Sequence, residues 1–227
     1  MSAKTSQKLY YDFDSMDELL NGSDFKVLNE SVVVYQKEKS KKPVIAYIRP
    51  EAEYSVEDYN MLPEGAPYQL INGKLVYMPS PTFRHQEILL FLAGLLKSFV
   101  DQHHLGKVNI APLDVQLDIK NVYQPDILFI SNERMDIIHE RVRGAPDVAI
   151  EILSSSNADL DRGEKMIGYA KHNVLEYWLI DHVNQTVEVF LNEKGNMRLT
   201  QNLKDGGILH SSVIKGFELN VKKMWDQ

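Results

Sequence analysis

The sequence contains no cysteine among its 227 residues. This absence excludes disulfide bonds, thiolate metal sites and cysteine nucleophiles, and it favours a reducing compartment. Long apolar runs are also missing, since no stretch approaches the ~18 apolar residues of a membrane span, and the N-terminus "MSAKTSQKLYYDFD" has no apolar signal-peptide core. We therefore expect a cytoplasmic protein that has no membrane partner.

An excess of positive charge is absent as well, because 25 Lys and Arg residues stand against 32 Asp and Glu residues. The formal net charge of −7 opposes nucleic-acid binding on average, since such binding relies on positive charge to displace counterions from phosphates. A local basic groove is still compatible with it. The hydrophobic fraction of 44% and the charged fraction of 25% are those of an ordinary globular protein.

The character of the chain changes near residue 50. Residues 1–50 are predicted to form an N-terminal extension, made of a short helix over "DSMDELLNG" and a β-hairpin with strands at 31–36 and 43–48. Residues 51–227 are predicted to form one larger domain, because they show no internal repeat and no low-complexity tract.

Helical and strand patterns alternate in the larger domain. Ser55 begins a capping-box pattern, and Asn72-Gly73 marks a β-hairpin. Apolar residues at helical spacing predict a long helix that starts near Arg84 and ends at Gly106. Three short strands follow, then a helix over "ADLDRGEKMIGYAKHNV" and a strand over "YWLID". This order predicts an α/β fold with a mixed β-sheet.

One of the short strands carries a charge where both faces are otherwise apolar. In "GAPDVAIEILSSS" the carboxylate of Glu151 stands among aliphatic side chains. Burying a carboxylate is costly unless another group pairs with it or binds it. The residues alone leave two interpretations open, which are a metal ligand and an ion pair with a buried arginine or lysine.

Two further residues fall near Glu151 in the predicted fold. Asp126 begins the preceding apolar strand, and Lys165 lies in the helix that follows, four residues after Asp161. If the two strands are neighbours, both carboxylates project side by side and suit Mg²⁺ or Mn²⁺, with Lys165 beside the phosphate. Alternatively, Asp126 is an ordinary turn residue and Lys165 forms a simple i, i+4 pair with Asp161.

Five stretches of the sequence carry a family resemblance. They are "YQLINGKLVYMPSPTFRHQEI", "LDVQLDI", "QPDILFISNERM", "RGAPDVAIEILSSSNADLDRGEKMIGYAKHNVLEYWLID" and "TVEVFL". These stretches resemble the Uma-type (Uma-two) restriction endonuclease family of the PD-(D/E)XK nuclease superfamily. Together they cover roughly residues 54–220. The resemblance implies a restriction-endonuclease-like α/β domain at 51–227, a mixed β-sheet core flanked by helices, with residues 1–50 as an appendage outside it.

The resemblance also implies roles for the residues singled out above. The PD motif matches Pro125-Asp126 and the following acid matches Glu151, so these two side chains would bind Mg²⁺ or Mn²⁺. Leu153 occupies the position of the superfamily lysine. Members of this family are similar in lacking it there, and Lys165 on the next helix would take its place. Pro146-Asp147 looks like a PD motif too but is interpreted as a decoy.

Three more positions follow from the resemblance. His85 aligns with a family histidine and is included among the catalytic residues, as a phosphate contact or proton shuttle. A capping contact at the helix start is the alternative. Gln69 stands where the family often has a glutamate, which puts a second-metal or water-orienting role there in doubt. Tyr169, one turn after Lys165, is interpreted as a packing residue.

The sequence therefore predicts a metal-dependent endonuclease that hydrolyses nucleic acid, DNA above all, and by resemblance a homodimer. Two alternatives stay open: a catalytically degraded member that serves as a binding or assembly protein, and a hydrolase of a small phosphorylated metabolite. The surroundings of the acid pair discriminate between nuclease and binding protein. An acidic, closed surface favours the binding protein. A cleft rimmed by basic side chains favours the nuclease, and the candidates for that rim are Arg84, Arg162, Lys165 and Lys171.

Overall fold

A computed structural model describes residues 53–62, 65–155 and 157–226 in full, and the backbone of residues 24–28, 31–35 and 43–47. The strands of these ranges fall into four sheets. They are β1 Asp24–Leu28, β2 Ser31–Tyr35, β3 Pro43–Tyr47, β4 Tyr68–Ile71, β5 Lys74–Tyr77, β6 Gly106–Ile110, β7 Val115–Asp118, β8 Asn121–Tyr123, β9 Ile127–Ser131, β10 Val142–Arg143, β11 Val148–Ile152, β12 Glu176–Asp181, β13 Thr186–Glu193, β14 Asn196–Lys204, β15 Ile208–His210 and β16 Glu218–Asn220.

The helices are short except for one. They are α1 Val56–Tyr59, α2 Phe83–Gln102, α3 Ala158–Leu160, α4 Met166–Lys171 and α5 Lys222–Trp225. A 3₁₀ turn covers Asn132–Ile137, and a π-helical turn at Asp161–Lys165 joins α3 to α4. No helix in the described part of the chain combines the length and apolar character needed to cross a bilayer.

A six-stranded mixed sheet forms the centre of the fold, in the order β14-β13-β12-β11-β9-β6. Strand β11 runs parallel to β12 and antiparallel to β9. A five-stranded sheet, in the order β10-β7-β8-β4-β5, forms a second layer. The predicted mixed α/β architecture is confirmed.

Two apolar clusters pack on opposite faces of the central sheet. Ile88, Leu92 and Leu96 of α2 are at most 1% exposed and pack with Ile150 of β11 in the first cluster. The second cluster contains Ala149 of β11 together with residues from the second sheet and from α4, namely Ile71, Tyr123 and Tyr169. Because successive residues of β11 face opposite sides, Glu151 points into the second cluster.

The predicted helix cap and hairpin turn are confirmed, whereas the predicted end of the long helix is wrong. Ser55 caps α1 in a reciprocal capping box with Asp58, and Asn72 and Gly73 form the predicted hairpin turn with φ values of 50° and 74°. Helix α2 ends at Gln102 rather than Gly106, because His103 caps it and Gly106 already begins β6. A side chain at Gly106 would lie 2.1 Å from the carbonyl oxygen of Ile130.

The N-terminal extension is only partly described. Strands β2 and β3 lie within the predicted ranges 31–36 and 43–48 and pair antiparallel. Strand β1, which the pattern did not predict, pairs with β2 on its other side. The helix predicted over 14–22 lies outside the described residues. The division of the chain into units 1–50 and 51–227 stays a prediction.

Gly168 sets how closely α4 approaches β8. A Cβ at this position would lie 2.2 Å from the hydroxyl oxygen of Tyr123, a fully buried side chain. We expect Gly168→Ala to lower the free energy of unfolding by about 1–3 kcal/mol, because the packed interior resists an added methyl group. Chemical denaturation measures this change.

The matched control is Gly94→Ala on the exposed face of α2, where a Cβ meets no atom within 4 Å. That variant is expected to be neutral or stabilised by up to about 1 kcal/mol, through helix propensity alone. Similar effects of the two substitutions would contradict the steric explanation.

Candidate active site

Asp126 and Glu151 lie beside each other at two neighbouring interior strands of the central sheet. Strands β9 and β11 are antiparallel neighbours that pair Ile127 with Ile150. Asp126, the residue before β9, therefore comes next to Glu151. The adjacency on which the predicted acid pair depends is confirmed.

Asp126 is held from both sides. Its Oδ2 atom accepts a 2.7 Å hydrogen bond from the backbone N–H of Ile152 and lies 3.2 Å from Nε2 of His85. The side chain keeps 17% of its surface exposed. Asp126 is thus oriented by its neighbours but still reachable from solvent. An ordinary turn residue does not need such side-chain contacts.

His85 reaches Asp126 from the first turn of α2. Thr82 caps the helix, and its hydroxyl accepts the backbone N–H of His85 at 3.2 Å. The backbone of His85 thus takes part in the helix cap, as the alternative interpretation expected. Its imidazole ring contacts Asp126 instead. Burial by itself lowers the pKa of His85, but the hydrogen bond and charge of Asp126 outweigh it and raise the pKa. The ring atom Nδ1 is buried without a partner among the described residues.

Glu151 is 4% exposed and is bound by two side chains from the helical segment opposite. Tyr169 donates a 2.9 Å hydrogen bond to Oε1 of Glu151, and Nζ of Lys165 forms an ion pair with the same oxygen. The interpretation of Tyr169 as mere packing is therefore incomplete. Its position one turn after Lys165 was the signal that it faces the same carboxylate.

Lys165 is fully buried between two carboxylates. Its Nζ atom lies 3.0 Å from Oδ1 of Asp161, which is itself 3% exposed, and pairs with Glu151 on the other side. The π-helical turn that carries both residues is of a kind that recurs at functional sites. The i, i+4 pair and the buried ion pair considered from the sequence are both present, and they meet at one lysine.

The acids of this cluster act on one another. The carboxylates of Glu151 and Asp161 contact the ammonium group of Lys165, and the charge of Asp126 acts on both of these acids. Burial raises the pKa of Glu151 to about 8 and also raises the pKa of Asp161, although Lys165 acts in the opposite direction on both. Burial alone would lower the pKa of Lys165, but the two carboxylates raise it well above its ordinary value. Lys165 therefore stays charged, while burial favours the protonated form of the two acids beside it.

The oxygens of the acid pair fit a small divalent cation. Both protein contacts of Glu151 fall on Oε1 and both of Asp126 fall on Oδ2, so Oε2 and Oδ1 accept no hydrogen bond from the described residues. Within that part of the chain, three or more His, Asp or Glu ligands do not converge into a complete cage. Mg²⁺ and Mn²⁺ accept such an incomplete shell, because water and substrate phosphate fill the remaining positions.

Gln69 lies beside the segment that leads to Asp126. It is 2% exposed in β4, and its Nε2 donates a 3.5 Å bond to the carbonyl of Gln124. Its Oε1 atom is buried without a partner among the described residues. A neutral amide thus occupies the position where the resemblance expects a carboxylate. Leu153, in place of the superfamily lysine, belongs to the second apolar cluster.

The expected basic rim is largely engaged within the protein. Lys165 is buried, Arg162 forms an ion pair with Glu188, and Arg84 donates to the carbonyls of Met224 and Trp225 at 3.3 and 2.9 Å. These cations support the fold around the site. Arg84 and Arg162 remain 30% and 37% exposed, and Lys171 at the end of α4 is exposed. Of the four predicted rim residues, only Lys165 is withdrawn from the surface, and the engagement of the two arginines is the observation that favours a binding role over catalysis.

His182 is a residue that the sequence did not indicate. It follows β12 at the edge where β11 also ends, and its Nδ1 atom is buried without a partner among the described residues. Burial and the nearby charge of His85 lower the pKa of His182. Its place beside the end of β11 follows from the parallel pairing of β11 and β12, for which the sequence carries no local signal.

Asp147 has a structural role. Its Oδ2 atom accepts a 2.7 Å hydrogen bond from the backbone N–H of Ser131, and Arg134 lies 3.5 Å from Oδ1. Ser131 ends β9, so Asp147 lies at the opposite end of the strand pair from Asp126. The structure supports the interpretation of Pro146-Asp147 as a decoy.

Comparison with known proteins identifies a family and a similar fold. The model of the Uma2 family, described as "Putative restriction endonuclease", matches residues 56–222. A solved structure titled as a "putative nuclease belonging to DUF820" from Anabaena variabilis ATCC 29413 is similar with a TM-score of 0.65 and 22% identity, over 76% of this chain and 97% of that one. At that identity the likeness shows the fold. No curated protein matches the chain.

Proposed function

The chain belongs to the Uma2 restriction endonuclease family, and from that premise we propose that it is a Mg²⁺- or Mn²⁺-dependent endonuclease that hydrolyses phosphodiester bonds of DNA. One observation carries the proposal. Asp126 and Glu151 lie side by side at neighbouring strands, each with one oxygen that accepts no hydrogen bond from the described residues. A buried ammonium group contacts one of the two acids.

Asp126 and Glu151 would hold the ion. When bound, it would lower the pKa of a coordinated water and neutralise charge on the phosphate. Lys165, which stays protonated, would orient the attacking water and offset phosphate charge. Tyr169 would keep Glu151 in its rotamer through the hydrogen bond to Oε1. His85 would orient the carboxylate of Asp126 through the 3.2 Å contact between Nε2 and Oδ2. We extend the proposal to a homodimer, which would present one site to each DNA strand.

A non-catalytic binding or assembly protein is the second candidate. It is favoured by Gln69 in place of the family glutamate, by the net charge of −7, and by the engagement of Arg84 and Arg162 within the fold. The two candidates differ in one measurable property, which is metal-dependent turnover.

The test compares wild type with Asp126→Ala for Mn²⁺ binding and for cleavage of plasmid and single-stranded DNA in Mg²⁺, Mn²⁺ or EDTA. We expect wild type to cleave only with metal and Asp126→Ala to be slower by about tenfold or more. Asp147→Ala is the matched control, since it removes a carboxylate from the other end of the same strand pair. The nuclease proposal would be contradicted if wild type cleaved DNA with neither metal, or if wild type and Asp126→Ala cleaved at equal rates.

A further inference from the structure

A concave site lies beside Gln124, two residues before Asp126 in the chain. It is a cavity of about 580 Å³, lined by the end of α1, by the loop before β7 and by Gln124. This volume lies within the range of small-ligand pockets. Its polar wall consists of Tyr59, Asp114, Gln124 and Arg141. None of these residues takes part in the acid–lysine cluster described above.

The polar wall is held in place by its own hydrogen bonds. Oδ1 of Asp114 accepts 2.8 Å bonds from the hydroxyl of Tyr59 and from Nε2 of Gln124. Tyr59 is 8% exposed. Arg141 donates a 2.6 Å bond to Oδ1 of Asn60. The wall is therefore preorganised before any ligand arrives.

An acceptor and a donor face the cavity side by side. Oδ2 of Asp114 forms an ion pair with Nη1 of Arg141 at 3.9 Å, a distance that is too long for a hydrogen bond. Oδ2 and the remaining guanidinium N–H groups have no hydrogen-bond partner among the described residues. Leu62, Pro112 and Leu113 supply apolar walls beside this pair. A flat ligand with an amine next to a ring acceptor matches both features.

The cavity adjoins the acid pair through the chain itself. Gln124 lines the cavity and precedes Asp126 by two residues, so their Cα atoms are at most about 7 Å apart. On the other side, the backbone N–H of Ala111, directly before Pro112, donates a 3.1 Å bond to the carbonyl of Asp126. A nucleotide next to a phosphate at Asp126 would have its base within reach of the cavity.

We infer that this cavity binds one unstacked nucleobase bearing an exocyclic amine, next to the phosphate held at Asp126. The inference rests on the proposed function and deepens it, because it assigns a base-binding subsite to the same substrate. The amine donates to Oδ2 of Asp114, the neighbouring ring acceptor receives Arg141, and the apolar side chains cover the ring face, as in sites that read extruded or single-stranded bases. With Asp114 and Glu140 against Arg141, the local charge suits a base better than a phosphate.

The experiment measures binding without turnover. Full-length wild type is titrated in metal-free buffer with dAMP, dCMP, dGMP, dTMP and 2-deoxyribose 5-phosphate, by calorimetry or ligand-detected NMR. We expect the amino-bearing nucleotides to bind at least about tenfold tighter than the sugar phosphate. In Arg141→Gln and in Asp114→Asn, the ratio of nucleotide affinity to sugar-phosphate affinity should fall by at least about fivefold. Thermal melts of both variants establish that they fold.

Arg198→Gln is the matched control, because it removes the same charge from an exposed pair with Glu193 on β14, and it should bind like wild type. Equal binding of all five probes, or equal losses in Arg141→Gln and Arg198→Gln, would overturn the base subsite. Metal-dependent cleavage is measured on the same preparations. A wild type that cleaves DNA without base-dependent binding overturns the subsite alone, whereas one that shows neither overturns the nuclease proposal as well.

Discussion

Lys165→Met is expected to lower the free energy of unfolding by about 3–5 kcal/mol at pH 7.5. Lys165 is fully buried, and its ammonium group contacts both Glu151 and Asp161, which are themselves at most 4% exposed. Removing one partner of a buried ion pair leaves the other charge without compensation. Here two carboxylates lose their compensation at once. Urea denaturation followed by circular dichroism measures the change.

The deficit of Lys165→Met should shrink as the pH falls. Burial already raises the pKa values of Glu151 and Asp161, and loss of the ammonium raises them further. A raised folded-state pKa gives stability that is full below the unfolded-state pKa and is lost as the pH rises through the folded-state value. The variant should therefore approach wild type near pH 4.5. Asp161→Asn combined with Lys165→Met should recover part of the loss at pH 7.5.

Cleavage by Lys165→Met should fall by about 100-fold or more, as expected when a charge beside the reacting phosphate is removed. Lys97→Met is the matched control, because Lys97 forms an i, i+4 pair with Asp101 on α2 but is 51% exposed. Its stability should change by less than about 1 kcal/mol, with cleavage unchanged. If Lys165→Met were as stable as Lys97→Met across the pH range, the buried ion pairs of Lys165 with Glu151 and Asp161 would not contribute to stability as proposed.

The two strands that carry the acid pair were predictable because the side-chain period of a strand is a local property. Strands at 122–131 and 146–155 are recognisable from β-branched and aromatic residues. Neighbouring antiparallel strands then place Asp126 beside Glu151, as the pairing of Ile127 with Ile150 shows. The hairpin at Asn72-Gly73 was predictable for the same reason, since its turn depends on two residues with positive φ.

The contacts that lock the site were less accessible to sequence reasoning. The sequence places Tyr169 on the same helical face as Lys165, but the residue that its hydroxyl meets depends on how α4 packs against β11. Burial of Lys165 depends on a π-helical turn, whose geometry the helical period does not specify. His182 enters the site through the parallel pairing of β11 and β12, a long-range arrangement. Tertiary contacts that join separate elements decide each of these cases.

Mn²⁺ binding by the wild type is expected to tighten by about tenfold per pH unit between pH 6 and 8 and to level off above that range. Burial raises the pKa of Glu151 from 4.5 to about 8, so below pH 8 the ion must displace a proton from this carboxyl. Calorimetric titration in two buffers of different ionisation enthalpy measures both the affinity and the proton released. Near pH 7 about one proton should leave for each ion bound.

Glu151→Gln should remove this dependence and most of the affinity, because an amide binds a hard cation weakly and carries no proton to displace. The metal-free variant should also lose the pH dependence of stability that Glu151 gives wild type, whose contribution is full below pH 4.5 and disappears as the pH rises through about 8. Glu193→Gln, at an exposed pair on β13, should keep the wild-type behaviour in both measurements. Affinity that is independent of pH in wild type, or equal in Glu151→Gln, would place the ion elsewhere. Glu151 would then be explained by its ion pair with Lys165 alone.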